Sequence, residues 1–269
     1  MSRPPKPKGR WNDLRRRMGS AAIMLAIGGV EIWLGGMTFA ILVLILTGVM
    51  MWELARMTAP GKVMANIGLG LMATAVLYGV LAYPEPLGLL PLLVPSLAGI
   101  AVPRRDKPIY FVYAAGLMLA GFALIELRAG PGTLAILWLI AVVVASDVMG
   151  YFAGRSLGGP KFWPRVSPNK TWSGTIAGWL GAAIVGLGFV LLADAGWGLI
   201  VLSPFIALAG QLGDIAESWI KRRSEVKDSS SLIPGHGGVL DRFDALTGAV
   251  LAVLALSLAW PLPLPEMGN

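Results

Sequence analysis

The sequence predicts an all-α fold, a polytopic membrane bundle of about nine transmembrane helices with a cytoplasmic N-terminus, and three observations carry that reading. Apolar residues make up 56% of the 269 residues and charged residues only 14%, an imbalance that no single water-soluble core of this size can hide. Apolar stretches of about 17 to 23 residues recur along the chain, each long enough to cross roughly 30 Å of hydrocarbon at about 1.5 Å per helical residue. Cations also segregate to one side once those stretches are threaded through a bilayer.

The nine stretches are residues 18–34, 37–52, 63–83, 87–102, 109–127, 133–152, 174–193, 197–220 and 243–260. The second is short, and Gly35-Gly36 marks its boundary with the first. With the N-terminus inside, 21 of the 22 Lys and Arg residues fall on the cytoplasmic side and only Arg128 lies outside, as expected when cations near span ends are retained inside. The net charge of +7 is therefore mainly an orientation signal with some attraction to anionic lipid, and no nucleic-acid role is assigned to it. The basic residues 1–17 form a solvated cytoplasmic tail, of which Arg10 to Arg17 suit a short helix at the headgroups.

Residues 18–34 follow a basic segment as a secretory signal would. Further spans follow without a small-residue cleavage site, so the reading is a retained first helix. Trp52, Trp163, Trp172, Trp197, Trp219 and Trp260 stand near span ends, where an amphipathic ring anchors at the interface. There is no Cys, which excludes disulfides, thiolate metal sites and Cys catalysis. The single His236 excludes a multi-histidine zinc site.

Polar groups are unevenly distributed among the spans. The first five carry Glu31 and little else that ionises, and its place near the outer end of its span suits a snorkelling or locally paired carboxylate. In the sixth, Asp147, Gly150, Tyr151 and Gly154 repeat at i, i+3, i+4 and i+7 and share one helix face leading to Arg155. That face suits a ligand equally as well as a close helix crossing. The eighth repeats the pattern with Gln211, Asp214, Glu217, Ser218 and Lys221. A charge in hydrocarbon costs at least about 2.5 kcal/mol, so this stripe must face protein or water.

Two cytoplasmic segments add groups suited to phosphate. Between the sixth and seventh spans, Ser167, Lys170 and Thr171 stand just before a helix, where hydroxyls, an ammonium and free N–H groups can receive an anion. The plainer reading is a Ser-Pro-Asn turn with Thr171 or Ser173 as N-cap. After the eighth span come Lys221, Arg222, Lys227, Asp228, a Pro234-Gly235-His236-Gly237-Gly238 turn, and then Asp241, Arg242 and Asp244. Cations suit phosphates, adjacent glycines allow backbone N–H groups near an anion, and carboxylates at i and i+3 can share a magnesium-type ion. Together they point to phosphoryl or nucleotidyl transfer. His236 serves equally as a general base or as a turn residue that hydrogen-bonds substrate.

The stretch from Ser218 to Asp244 resembles the signature of the phosphatidate cytidylyltransferases, also called CDP-diacylglycerol synthases. That signature runs Ser, two residues on Lys-Arg, four residues on Lys-Asp, then Pro-x-His-Gly-Gly, and after two variable residues Asp-Arg-x-Asp. A 27-residue match with about a dozen fixed positions is far more specific than a short glycine motif. Asp147 to Arg155 and Ser167 to Thr171 also look like family elements, so the resemblance covers roughly the C-terminal half. One position departs from the pattern: Ser173 stands where many relatives carry an acidic residue, which removes a carboxylate from that site.

The resemblance implies cytidylyl transfer from CTP to phosphatidate with Mg2+ required, and it leaves room for a second cation. It implies metal binding by Asp214 and Asp241, with Asp244 and Asp228 assisting. Phosphate charge would be met by Lys221, Arg222, Lys227 and Arg242, and His236 belongs to the same catalytic set. Substrate binding would fall to Ser167, Lys170, Thr171, Asp147, Tyr151, Ser218, Gly237 and Gly238. The expected organisation is one integral-membrane domain over residues 1–269, with N-terminal helices at 18–127 and catalytic helices at 133–260. It would sit in a bacterial cytoplasmic membrane with the active site facing the cytoplasm. Membrane lipids are the expected surroundings, and a homodimer is compatible. A CTP-dependent lipid kinase and a cation-coupled transporter using Asp147, Asp214 and Glu217 are the competing readings; the one-sided clustering of polar residues speaks against the transporter.

Overall fold

The computed structural model describes residues 10–83, 88–164 and 166–265. Helices dominate: α1 (Arg10–Leu34), α2 (Gly36–Thr58), α3 (Val63–Ala82), α4 (Val94–Ala101), α5 (Lys107–Ala129), α6 (Thr133–Leu157), α7 (Trp172–Leu192), α8 (Leu199–Arg223) and α9 (Leu240–Ser257). A 3-10 turn, Leu90–Leu93, leads into α4. Among the described residues six helices, α2, α3, α5, α6, α7 and α8, are long and apolar enough to cross a membrane.

The other three explain the difference from nine stretches. Among the described residues α1 contributes the shorter apolar helix Ala22–Leu34, part of a helix that runs on from Arg10. The fourth stretch forms only Leu90–Ala101, which at about 1.5 Å per residue is well short of a bilayer core. Pro91 and Pro95 both sit in first-turn positions there, where proline starts a helix but cannot continue one. α9 opens with Asp241, Arg242 and Asp244 before its apolar run begins.

One element departs from an all-α reading. β1 (Lys161–Trp163) pairs antiparallel with β2 (Ser167–Thr171), Lys161 opposite Thr171. Two strands alone are marginal in water. This hairpin is held where it joins α7: the Trp172 N–H donates to the Pro160 carbonyl at 3.0 Å, and the Phe162 and Trp172 rings meet edge to face at 4.8 Å. Thr171 then caps α7, its hydroxyl accepting from the Gly174 N–H at 3.2 Å, which answers one of the orphan donors at a helix start.

α6 packs along α7, α7 along α8 and α8 along α9, while α2 packs along α3 and α5 touches both α2 and α9. The α6–α7 crossing is close. A Cβ at Gly174 would lie 2.6 Å from the Gly150 carbonyl oxygen, so glycine is what lets the two backbones meet. One apolar core joins Trp138, Leu139 and Val142 of α6 to Leu199 and Ile206 of α8 and Val250 of α9. The other joins Met51 and Leu54 of α2, Leu77 of α3 and Tyr110 and Leu117 of α5, and it takes in Ile220, Val239 and Leu240. The C-terminal helices are therefore seated on the N-terminal ones at the end that carries the polar residues. Leu180, Ile184 and Leu191 on α7 and Val201 and Phe205 on α8 stay exposed, as helix faces turned to lipid do.

Candidate active site

At that end the C-terminus of α6, the N-termini of α7 and α9 and the C-terminal half of α8 surround a cavity of about 600 Å3. Asp147, Gly150, Tyr151 and Gly154 line it from α6, Lys170 and Thr171 from β2, Gln211 and Asp214 from α8, and Asp241 and Asp244 from α9. The α6 face read from 3.6-residue spacing thus meets Gln211 and Asp214 of the α8 face across one space, closed by the segment before α7, while Glu217, Ser218 and Lys221 of that α8 face do not line it. Lys170 reaches in to form an ion pair with Asp214 and donates to the Gln211 carbonyl at 3.2 Å. Arg155 donates to the Tyr151 hydroxyl at 2.7 Å at the rim.

Electrostatically the cavity is acidic. Asp147, Asp214, Asp241 and Asp244 line it against Arg155 and Lys170, and the Asp214 and Asp244 carboxyls come within hydrogen-bonding reach of each other. Two carboxylates that close need a proton or a cation between them. Asp244 also accepts from the Ala245 N–H at 2.8 Å, and Asp214 from the Ser218 hydroxyl at 3.4 Å.

Asp241 lies differently. One of its oxygens accepts from Lys221 at 2.7 Å, and the other accepts from the Ser229 N–H at 2.9 Å, the Ser229 hydroxyl at 3.0 Å and the Gly238 N–H at 2.7 Å. Lys221 also pairs with Glu217, whose side chain is fully buried. Among the described residues no three His, Cys, Asp or Glu side chains are already gathered as a metal site. A magnesium ion needs fewer, since one or two carboxylates with substrate phosphates and waters complete its six oxygens, and Asp214 with Asp244 fits that donor set.

A second polar cavity of about 420 Å3 is lined by Lys227, Asp228, Ser230, His236, Gly237 and Arg242. Arg242 spends its guanidinium on the His236 carbonyl, at 3.1 and 2.8 Å, and the His236 ring meets the Ser20 hydroxyl of α1 at 2.7 Å. The structure therefore divides the sequence-derived set into two neighbouring groups, with Asp241 and Gly237 in contact where they meet. Ser167 is half-buried in β2 and Arg222 is exposed at the end of α8; like Ser218, Lys221 and Gly238, they do not line these cavities. Ser173, the position that departs from the family pattern, donates to the Gly158 carbonyl and shares a hydrogen bond with Thr171 at 3.0 Å.

Residues 15–259 match the Cytidylyltransferase family. The chain belongs to that family. Across 251 residues, 88% of this chain and 91% of the relative, it is 37% identical to a phosphatidate cytidylyltransferase of Brucella abortus. It is 45% identical over 126 residues to one of Haemophilus influenzae, covering 44% of each chain, and 42% identical over 137 residues to one of Helicobacter pylori, covering 50% of this chain and 51% of that one. The family assignment thus extends through the N-terminal helices, where the sequence by itself offered only hydrophobicity.

Sequence reasoning missed Glu53. Hydropathy ends the second stretch at Trp52, yet α2 continues to Thr58 and Glu53 is fully buried in it. The available signal was a lone carboxylate between Met50 and Met57, in a run otherwise apolar up to Arg56. A buried charge at that depth requires partners.

Proposed function

We propose that the protein catalyses transfer of the cytidylyl group of CTP to phosphatidate, giving CDP-diacylglycerol and pyrophosphate. One observation carries this reading: a single cavity at one end of the bundle gathers Asp147, Lys170, Asp214, Asp241 and Asp244 from elements far apart in sequence. The relatives named above are phosphatidate cytidylyltransferases, and their name supplies the acceptor.

In the reaction an oxygen of the lipid phosphate attacks the α-phosphorus of CTP. A new P–O bond forms, the bond to the β-phosphate bridging oxygen breaks, and pyrophosphate leaves with the electron pair. No protein nucleophile is required, because the phosphate monoester is already ionised near neutral pH. Both reactants are anionic, so the protein must suppress their repulsion. Lys170 and Arg155 reach the larger cavity, while Lys227 and Arg242 line the smaller one. Asp214 and Asp244 would hold Mg2+, which when bound supplies charge neutralisation for the phosphates.

The acceptor's acyl chains remain in lipid under this reading. Val148, Met149, Tyr151 and Phe152 stay exposed on α6 beside the cavity, so a headgroup can enter from the side of the bundle. The chain would cross the membrane about nine times, the segment around Leu90–Ala101 completing its crossing with the residues on either side as it returns from the far end of α3 to Arg105 beside Thr58. Its N-terminus would lie in the cytoplasm and its active site on that side, in a bacterial inner membrane. Supporting this orientation, the Arg105 N–H donates to the Thr58 carbonyl at 3.0 Å, and Arg223 pairs with Asp106 at 2.6 Å. The cation-rich ends of α2, α5 and α8 thus lie together, as retention of cations inside requires.

The decisive assay incubates purified protein with labelled CTP, phosphatidate and Mg2+ and identifies both products. CDP-diacylglycerol and pyrophosphate are expected in equal amounts. Release of CDP with a newly phosphorylated lipid would mean kinase chemistry instead.

A further inference from the structure

Glu53 belongs to an N-terminal helix, and nothing in the reaction described above uses it. Its neighbours in α2, Met51, Leu54 and Ala55, are fully buried apolar side chains, and Glu53 is 0% exposed. Its carboxylate is nonetheless fully engaged. One oxygen accepts from the Ser230 hydroxyl at 2.5 Å and the Val239 N–H at 3.0 Å. The other accepts from the Leu240 N–H at 2.7 Å and the Ser229 hydroxyl at 3.3 Å. Three of these donors belong to Glu53 alone and the single Ser229 hydroxyl proton is shared with Asp241, so the roughly four lone-pair sites of an ionised carboxylate are nearly filled.

Two of those donors are backbone N–H groups at the start of α9, which has no side-chain cap of its own. Glu53 supplies that cap from another helix, with its negative charge at the positive end of the α9 dipole. Ser229 extends the contact to the active site: its hydroxyl lies 3.3 Å from Glu53 and 3.0 Å from Asp241, and its N–H donates to Asp241 at 2.9 Å. Gly238 donates to the same Asp241 oxygen at 2.7 Å. A Cβ there would collide with Ser229 and Glu53, so the backbone is pressed directly between the two carboxylates.

We propose that Glu53 is a positioning residue for the cytidylyl-transfer site, fixing Asp241 and the first turn of α9 through Ser229, Val239 and Leu240. The N-terminal helices then take part in building the active site and do more than anchor it. This rests on the cytidylyltransferase reading. Removing a group that orients an active-site carboxylate typically costs about 10- to 100-fold in activity or metal affinity, so Glu53→Gln should lower kcat by about that factor while the KM for CTP changes little. The amide keeps the volume but turns a donor toward groups that are themselves donors. Glu53→Asp, which keeps the charge, should recover part of the loss.

The experiment measures CDP-diacylglycerol formation by full-length protein in mixed micelles, across Mg2+ and CTP concentrations, with thermal unfolding followed in parallel. The set is wild type, Glu53→Gln, Glu53→Asp, Ser230→Ala and, as a stability control on the same helix, Thr58→Val. A wild type that forms no CDP-lipid overturns the functional reading itself. With an active wild type, a folded Glu53→Gln protein of unchanged kcat overturns the positioning role alone. Should Glu53→Gln fail to fold, Ser230→Ala decides, because it removes one donor and leaves the carboxylate in place: reduced kcat at constant CTP KM supports the proposal, and unchanged kcat overturns it. Thr58→Val is expected to unfold at lower temperature with unaltered kcat. An equal kcat loss in Thr58→Val would reduce Glu53 to an ordinary stability residue.

Discussion

Lys221 donates to Asp241 across 2.7 Å, joining the last turn of α8 to the first turn of α9. The same ammonium pairs with buried Glu217 one turn earlier. One cation therefore balances two carboxylates on adjoining helices. Asp241 takes three further hydrogen bonds, so Asp214 and Asp244 face the cavity with fewer competing donors than Asp241 does.

Substituting Lys221→Met should destabilise the protein by about 3–5 kcal/mol, since it leaves the Glu217 charge buried without its partner. Adding Glu217→Gln should recover most of that stability, and turnover should stay at least about 100-fold down, because neutralising Glu217 does not return a cation to Asp241. Thermal unfolding and product assays on the single and double variants check this. Recovery of turnover along with stability would show that Lys221 acts only in folding.

Replacing Asp214 or Asp244 by Asn should preserve folding yet raise the Mg2+ concentration needed for half-maximal rate by tenfold or more, with turnover falling by roughly 100-fold or more. A bound divalent ion contributes several kcal/mol to such a reaction. Titration of activity with Mg2+ is the measurement, and an unchanged curve in both variants would remove them from the metal site.

Gly174→Val should weaken the α6–α7 crossing by about 1–3 kcal/mol, the usual effect of overpacking, because its Cβ meets the Gly150 carbonyl. Gly188 lies in the same helix, and a Cβ added there would meet nothing within 4 Å. Gly188→Ala should therefore be neutral or stabilise by up to about 1 kcal/mol. Unfolding midpoints in detergent compare the two directly.

Asp106 accepts two hydrogen bonds from Arg223, at 2.9 and 2.6 Å, and the guanidinium holds its carboxyl below the ordinary Asp value of 3.8. A carboxyl depressed on folding stabilises the native state above its unfolded value and loses that contribution as pH falls through the folded one. The wild type should thus unfold at slightly higher temperature than Asp106→Asn near neutral pH, with the difference fading as pH falls below the ordinary Asp value of 3.8. The pair is exposed, so the difference should also shrink in high salt. An increase toward low pH would contradict the assignment.

What the sequence by itself determined is whatever depends on neighbours along the chain. Apolar run lengths located the helices. A 3.6-residue period placed Asp147 with Tyr151 and Asp214 with Lys221 on single faces, and the spacing from Ser218 to Asp244 was specific enough to point to a family. Only the tertiary structure decided the rest. Three-residue β1 has too few positions to display a period, and Leu90–Ala101 reads as apolar as a spanning helix although its prolines keep it short. The separation of Lys227, His236 and Arg242 from Asp147 and Lys170 depends on how α9 docks, and Glu53 meets Ser229 across 176 residues of sequence. Contacts between distant segments are set by helices burying their apolar faces against one another, and local spacing does not encode which polar groups that packing brings together.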